Sequence, residues 1–99
     1  MKTGGYVYIV TNPHHNVLYT GVTSDLKIRM WQHINKEFPK SFTAKYNCVK
    51  LVWYDTYPNI SDAIEREKQI KAGSRIAKEK LINEMSPLWN DLWEVVGQW

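Results

Sequence analysis

The run Tyr6-Val7-Tyr8-Ile9-Val10, followed after a turn by Val17-Leu18-Tyr19-Thr20-Gly21 and then by Asp25-Leu26-Lys27-Ile28-Arg29-Met30-Trp31-Gln32-His33, decides how this chain folds. Its opening is rich in aromatic and β-branched residues and reads as a strand from Tyr6 to Thr11. Asn12-Pro13-His14-His15-Asn16 is a turn and Val17 to Thr23 a second strand, so an antiparallel hairpin is predicted. Ser24 reads as a helix N-cap, with Asp25 in the first turn, where a carboxylate favours the helix dipole. The helix is predicted to reach about Lys36, with Leu26, Met30 and Ile34 as its buried stripe, and Pro39 ends it. The run thus brings phenols, a guanidinium and an imidazole to the edge of a small sheet. Those are the groups needed to handle a phosphodiester.

Outward from this run, Lys40 to Asn47 reads as a polar loop carrying Phe42 and Tyr46. Val49 to Tyr57 is a third strand, with Leu51 and Trp53 expected on one face, Val52 and Tyr54 on the other, and Pro58 closing it. Ser61 is the expected cap of a helix from Asp62 to about Ala72, and Gly73 its stop. Ser74 caps a third helix to about Met85, with Ile76, Leu81 and Ile82 apolar. Ser86-Pro87 interrupts, and Leu88, Trp89, Leu92, Trp93 and Val96 suggest a last short helical segment. Neither a repeat nor a dividing linker is present. The expectation is one domain over 1–99, with 86–99 a Trp-rich tail packed on it. The order ββαβαα, a small three-stranded antiparallel sheet flanked by helices, is an α+β fold.

Composition narrows the classes. At 99 residues the chain suffices for one modest core. Its single cysteine, Cys48, has no internal partner and no zinc-type spacing around it, which fits a reducing, cytoplasmic setting and a buried small side chain. No signal peptide is read at the N-terminus, and no stretch is long and apolar enough to span a bilayer. The net charge of +3 is mild. Its distribution is more telling, because Arg66, Lys68, Lys71, Arg75, Lys78 and Lys80 outnumber Glu67 and Glu79 in one segment. Such a surface suits a phosphate backbone, and it equally suits a solvated helix face.

Individual residues carry chemistry to different degrees. Arg29 and His33 are four apart and share a helix face beside the buried stripe, although periodicity alone describes an ordinary solvated pair. Glu67 falls between Ile64 and Ile70, inside the apolar stripe of its helix. A carboxylate there is either paired at the stripe's edge or functional. Tyr6 and Tyr8 share a strand face, and Gly21 within a strand marks a bulge or a close backbone approach. His14 and His15 read as exposed turn residues without a role, and most of the five tryptophans as packing.

Taken together, these residues resemble the GIY-YIG nuclease superfamily, in particular its small stand-alone bacterial members. Tyr6-Val7-Tyr8 matches the first signature triplet and Tyr19-Thr20-Gly21 the second. Gly21 to Arg29 to His33, the segment Arg66-Glu67-Lys68-Gln69-Ile70-Lys71 and the tail Ser86-Pro87-Leu88-Trp89-Asn90-Asp91-Leu92 follow in order. Tyr6 replaces a glycine and Thr20 an isoleucine of the signature, and Val22 stands where some repair-type members carry lysine.

The resemblance implies a metal-dependent DNA endonuclease of low sequence specificity, with repair or recombination as its setting. It implies that Tyr8 and Tyr19 lie at the active-site rim and that one of them orients or activates the attacking water. Arg29 would stabilise the charge of the transition state, and His33 would contact or carry a proton. Glu67 would hold one Mg²⁺ or Mn²⁺. Tyr6, Lys68, Lys71, Arg75 and Lys78 would meet the DNA backbone. The rival readings are a non-catalytic nucleic-acid-binding module and a tail that forms a homodimer or partner surface.

Overall fold

The computed structural model describes residues 4–99. Its elements run β1 (Gly5–Thr11), β2 (Leu18–Thr23), α1 (Leu26–Ile34), α2 (Phe42–Lys45), β3 (Lys50–Tyr57), α3 (Ile60–Ala72), α4 (Arg75–Met85) and α5 (Trp93–Val96). The three strands form one antiparallel sheet in the order β2-β1-β3. The α+β fold expected from the sequence is the observed one.

The sheet is covered on both faces. Val7 and Ile9 of β1 point to a core with Val52, Trp53, Ala63, Ile70 and Ile82, under α3 and α4. Tyr8 and Val10 point to a second core with Leu26, Met30, Cys48, Leu51 and Val96, under α1 and the tail. Both faces of β1 being buried explains why its sequence is continuously apolar or aromatic. Each fully buried side chain such as Leu26 or Met30 contributes about 1.5–3 kcal/mol.

β3 departs from the alternation expected of it. Leu51 belongs to the α1 core and Trp53 to the α3 core, while Val52 and Trp53 share a face. The cause is a β-bulge. Ile9 pairs with Trp53 but Val10 pairs with Leu51, which leaves Val52 as an extra residue. The bulge turns Val52 inward beside Trp53 and restores Leu51 to the opposite face.

Helix ends also differ from the sequence reading. Asp25, not Ser24, caps α1, its carboxylate accepting from Ile28 N at 3.1 Å. Asn59, not Ser61, caps α3 by accepting from Asp62 N at 2.9 Å. In both cases a longer side chain, one position later at Asp25 and two earlier at Asn59, already satisfies an orphan amide. Ser74 caps α4 as expected, accepting from Ala77 N at 3.1 Å. Gly73 ends α3 in an extended conformation, with φ −79°, and not in the left-handed one.

α1 ends at Ile34, two residues before the expected limit. Lys36 adopts φ 50°, Lys36 N donates to His33 O at 3.2 Å, and Glu37 N donates to Gln32 O at 3.0 Å. This is a Schellman stop built on a lysine, which carries none of the glycine signal such a stop usually gives. The chain then turns back, and the segment expected to be a polar loop forms α2, capped by Ser41 on Ala44 N at 3.2 Å.

The tail is fastened to the outer edge of β3. Leu51 N donates to Asp91 Oδ1 at 3.2 Å and Leu92 N to Leu51 O at 2.8 Å. Such pairing closes part of an edge that would otherwise be open. Of the tryptophans, Trp53 is buried and Trp89 and Trp93 are partly so, whereas Trp31 and Trp99 are about half exposed. No helix among the described residues is long and apolar enough to cross a membrane.

Candidate active site

The hairpin and α1 bring four of the expected residues together. Tyr8 lies mid-strand in β1, opposite Gly21 of β2. A Cβ on Gly21 would overlap the Tyr8 ring and hydroxyl, so glycine is needed there for room and not for conformation. Tyr8 is 0 % exposed. It therefore lies beneath the site floor rather than on its rim.

Its hydroxyl meets His33 Nε2 at 2.8 Å. Burial pushes the phenol well above the usual tyrosine range, while the neighbouring Arg29 guanidinium and its hydrogen bond to the phenol pull the other way. Burial, reinforced by the Arg29 charge, pushes the His33 imidazole down to about 4. At neutral pH the pair is a neutral phenol and a neutral imidazole beside a fixed cation.

A depression of about 170 Å³ opens beside His33, lined by Tyr19, Arg29, Gln32, His33, Phe42 and Thr43 among others. Arg29 Nε donates to Gln32 Oε1 at 3.1 Å, which orients the guanidinium. Tyr19 stacks on Phe42 with ring centroids 5.8 Å apart and stands edge-on to His33 at 6.2 Å. His33 Nδ1 lies 2.9 Å from Thr43 Oγ1. The sequence reading had no place for Gln32 or Thr43. The one available signal was Ser41 followed by Thr43 after Pro39, a capping pattern within an apparent loop.

Glu67 comes from the other side. α3 packs on β1 and on the outer strand β2, so its side chains can pass that edge. Lys71 Nζ sits 3.0 Å from Glu67 Oε2 and 5.6 Å from the centre of the Tyr19 ring. The Glu67 side chain is 14 % exposed, and its charge reaches Tyr8. The apolar stripe of α3 is Ala63 and Ile70, with Ile64 turned outward at 39 % exposure. Glu67 lies at the edge of that stripe rather than inside it.

Among the described residues no group of three or more His, Cys, Asp and Glu is gathered. A lone, partly exposed carboxylate fits a hard cation that keeps waters and takes phosphate oxygens, and does not fit a closed zinc-type site.

The remaining basic candidates divide. Lys68 is exposed, and Lys71 lies between Glu67 and Tyr19. Arg75 is committed elsewhere, to His15 O at 2.7 Å, Asn16 O at 3.1 Å and Glu79 at 2.8 Å. Lys78 Nζ donates to Gly73 O at 2.7 Å. Tyr6 packs against Trp99, centroids 5.8 Å apart. His15, expected to be a free turn residue, is half-buried. It meets Lys50 Nζ at 2.7 Å and stacks on Trp89 at 5.0 Å. Cys48 is buried, and burial pushes its thiol up to about 11, as suits a packing residue.

Comparison with known proteins identifies the chain's family and fold. Residues 4–80 match the family model described as the GIY-YIG catalytic domain. A UPF0213 protein of Staphylococcus epidermidis is 38 % identical over 79 residues, covering 80 % of this chain and 94 % of that protein. One from Haloquadratum walsbyi is 37 % identical over 79 residues, covering 80 % and 86 % respectively. The solution NMR structure of a UPF0213 protein from Bacillus halodurans superposes with a TM-score of 0.57 at 25 % identity, covering 94 % of this chain and 97 % of that one. The chain belongs to the GIY-YIG family, a nuclease superfamily, and its relatives within it are the UPF0213 proteins.

Proposed function

We propose that this protein is a divalent-cation-dependent endonuclease that hydrolyses phosphodiester bonds in DNA with little sequence preference, in repair or recombination. The observation that carries this reading is the convergence of Tyr19, Arg29 and His33 on one depression, with buried Tyr8 bonded to His33 and Glu67 linked to the Tyr19 ring through Lys71.

Each residue has a part in that reaction. Arg29 faces the phosphate and stabilises the charge that builds on its oxygens, an effect worth about 3 kcal/mol for one well-placed donor. Tyr19 stands in the wall of the depression and orients the attacking water. The Tyr8–His33 pair, neutral at rest, supplies the proton acceptor. Water attacks phosphorus and the 3′ oxygen of the preceding nucleotide leaves. Glu67 would hold Mg²⁺ or Mn²⁺, which supplies Lewis-acid polarisation of the phosphate. Lys71, now on Glu67, would give way to that cation and join Lys36 and Lys68 on the DNA backbone. Backbone contacts position a duplex without reading its sequence.

A second reading is a binding module without turnover, favoured by the exposed rings of Phe38, Phe42 and Tyr46 near the depression, which offer faces to unstacked bases. Glu67→Gln separates the two. It abolishes cleavage and spares DNA binding in a nuclease, and changes little in a module.

The first test is nicking of supercoiled plasmid by pure protein in Mg²⁺ or Mn²⁺, beside Glu67→Ala and Arg29→Ala. Metal-dependent nicking lost in both variants supports the nuclease. Nicking that survives in both sinks this site assignment.

A further inference from the structure

The Tyr8–His33 pair does not end at His33. Its Nδ1 reaches Thr43 Oγ1 at 2.9 Å, and Thr43 Oγ1 lies 3.3 Å from Ser41 Oγ. Thr43 is 3 % exposed. Its backbone is pinned as well, since Cys48 N donates to Thr43 O at 2.8 Å and Ser41 caps the turn of helix that carries it. A hydroxyl so held is a fixed reference point for the imidazole.

The direction of the protons follows from counting donors. The Tyr8 hydroxyl is buried, and its hydrogen-bond partner is His33 Nε2 at 2.8 Å. The Tyr8 proton then has one acceptor in its buried surroundings, His33 Nε2. Nε2 must therefore be bare and Nδ1 must carry the ring proton, which Thr43 Oγ1 accepts. Thr43 in turn donates its hydroxyl hydrogen bond to Ser41 Oγ. The reverse arrangement puts an Nε2–H donor on the Tyr8 oxygen and leaves its buried O–H without an acceptor, a cost of about 1–3 kcal/mol.

We propose that Thr43 is a positioning residue that holds His33 in the Nδ1–H tautomer, so that Nε2 is free to accept the proton of Tyr8. The catalytic consequence rests on the nuclease reading above; the tautomer itself does not. As the attacking water gives its proton to the Tyr8 oxygen, Tyr8 passes its own to His33 Nε2: one O–H bond forms and one breaks at the phenol, an N–H bond forms at the ring, and the phenol ends neutral. The resulting imidazolium keeps both ring protons bonded, one to Tyr8 and one to Thr43. Without Thr43 the second would be buried and unpaired.

The test is the long-range ¹H–¹⁵N spectrum of His33 in labelled protein at neutral pH, for wild type, Thr43→Val and Thr43→Ser, with plasmid nicking measured on the same samples. The expected result is a protonated Nδ1 in wild type and Thr43→Ser, and loss of that pattern in Thr43→Val. Nicking should fall about tenfold to a hundredfold in Thr43→Val and return in Thr43→Ser, as expected for one buried hydrogen-bond partner. Should Thr43→Val not fold, Thr43→Ala is read in the same way. A protonated Nε2 in wild type, or a spectrum unchanged in the Val or Ala variant, overturns the proposal. If the wild type nicks no DNA under any metal, the nuclease reading falls, and the spectrum alone decides whether Thr43 sets the tautomer.

Discussion

Gly21 faces Tyr8 across the β1–β2 ladder, and the Tyr8 ring and hydroxyl occupy the volume that any side chain at Gly21 would need. Two positions thirteen residues apart in sequence (8 and 21) are thus one steric unit. Gly21→Ala is expected to destabilise the fold by about 1–3 kcal/mol, the usual cost of overpacking a dense core. It should also move the phenol off His33. Adding Tyr8→Phe removes the hydroxyl, one of the atoms nearest the new methyl, and should recover part of the lost stability. Thermal unfolding of the two single variants and the double variant checks this; strictly additive losses would show that the contact is not the cause.

His33 should titrate near 4 and not near its ordinary value of 6.5, because burial and the Arg29 charge disfavour the imidazolium. The folded state therefore binds that proton less readily than the unfolded chain. The contribution of neutral His33 to stability is complete above 6.5 and is lost as pH falls from there through about 4. An NMR titration of the His33 ring reads the midpoint directly, and a midpoint at or above 6.5 contradicts the geometry described.

Arg75 and Lys68 should separate stability from DNA binding. Arg75 ties α4 to the β1–β2 turn through the carbonyls of His15 and Asn16, so Arg75→Ala should lower stability, by about 1 kcal/mol for this partly exposed link. Its effect on DNA affinity should be small. Lys68 is exposed, and Lys68→Ala should weaken DNA binding and reduce the slope of log affinity against log salt by about 1. Denaturant melts and salt-dependent binding on both variants check the pair, and a reversed pattern would return Arg75 to the DNA surface.

Asp91 holds the tail to the sheet. Its Oδ1 accepts from Leu51 N at 3.2 Å and from Trp93 N at 3.0 Å. Asp91→Ala removes both acceptors and is expected to cost about 1–2 kcal/mol. Hydrogen exchange at Leu51 and Trp93 should accelerate more than exchange in β1. Uniform acceleration across the sheet would mean that the tail is not a separately opening unit.

The α+β architecture was legible in the sequence because its signals are local. Strand alternation, the four-residue spacing of Leu26, Met30 and Ile34, and the Ser74 cap each report on a few neighbouring residues. Tyr8, Arg29 and His33 lie in one contiguous run, but they were legible as partners only through its resemblance to the GIY-YIG family, since periodicity alone describes Arg29 and His33 as an ordinary solvated pair. The errors cluster where a residue's state depends on something distant. The bulge at Val52 depends on how β3 registers against β1, and Ile64 is exposed because α3 turns its stripe to Ala63 and Ile70. Arg75 looks like any surface cation until the turn carrying His15 is placed beside it.

By itself, then, the sequence determined the three strands, the longer helices and their order, since propensity and periodicity are properties of a short stretch of chain. Only the tertiary structure decided that Tyr8 is buried under Gly21 rather than exposed at a rim. It alone decided that α2 returns Thr43 to His33 and that Lys71 sits between Glu67 and the Tyr19 ring. The physical reason is that close packing and hydrogen-bond pairing are contacts between segments far apart in the chain, and their geometry exists only once the segments have docked.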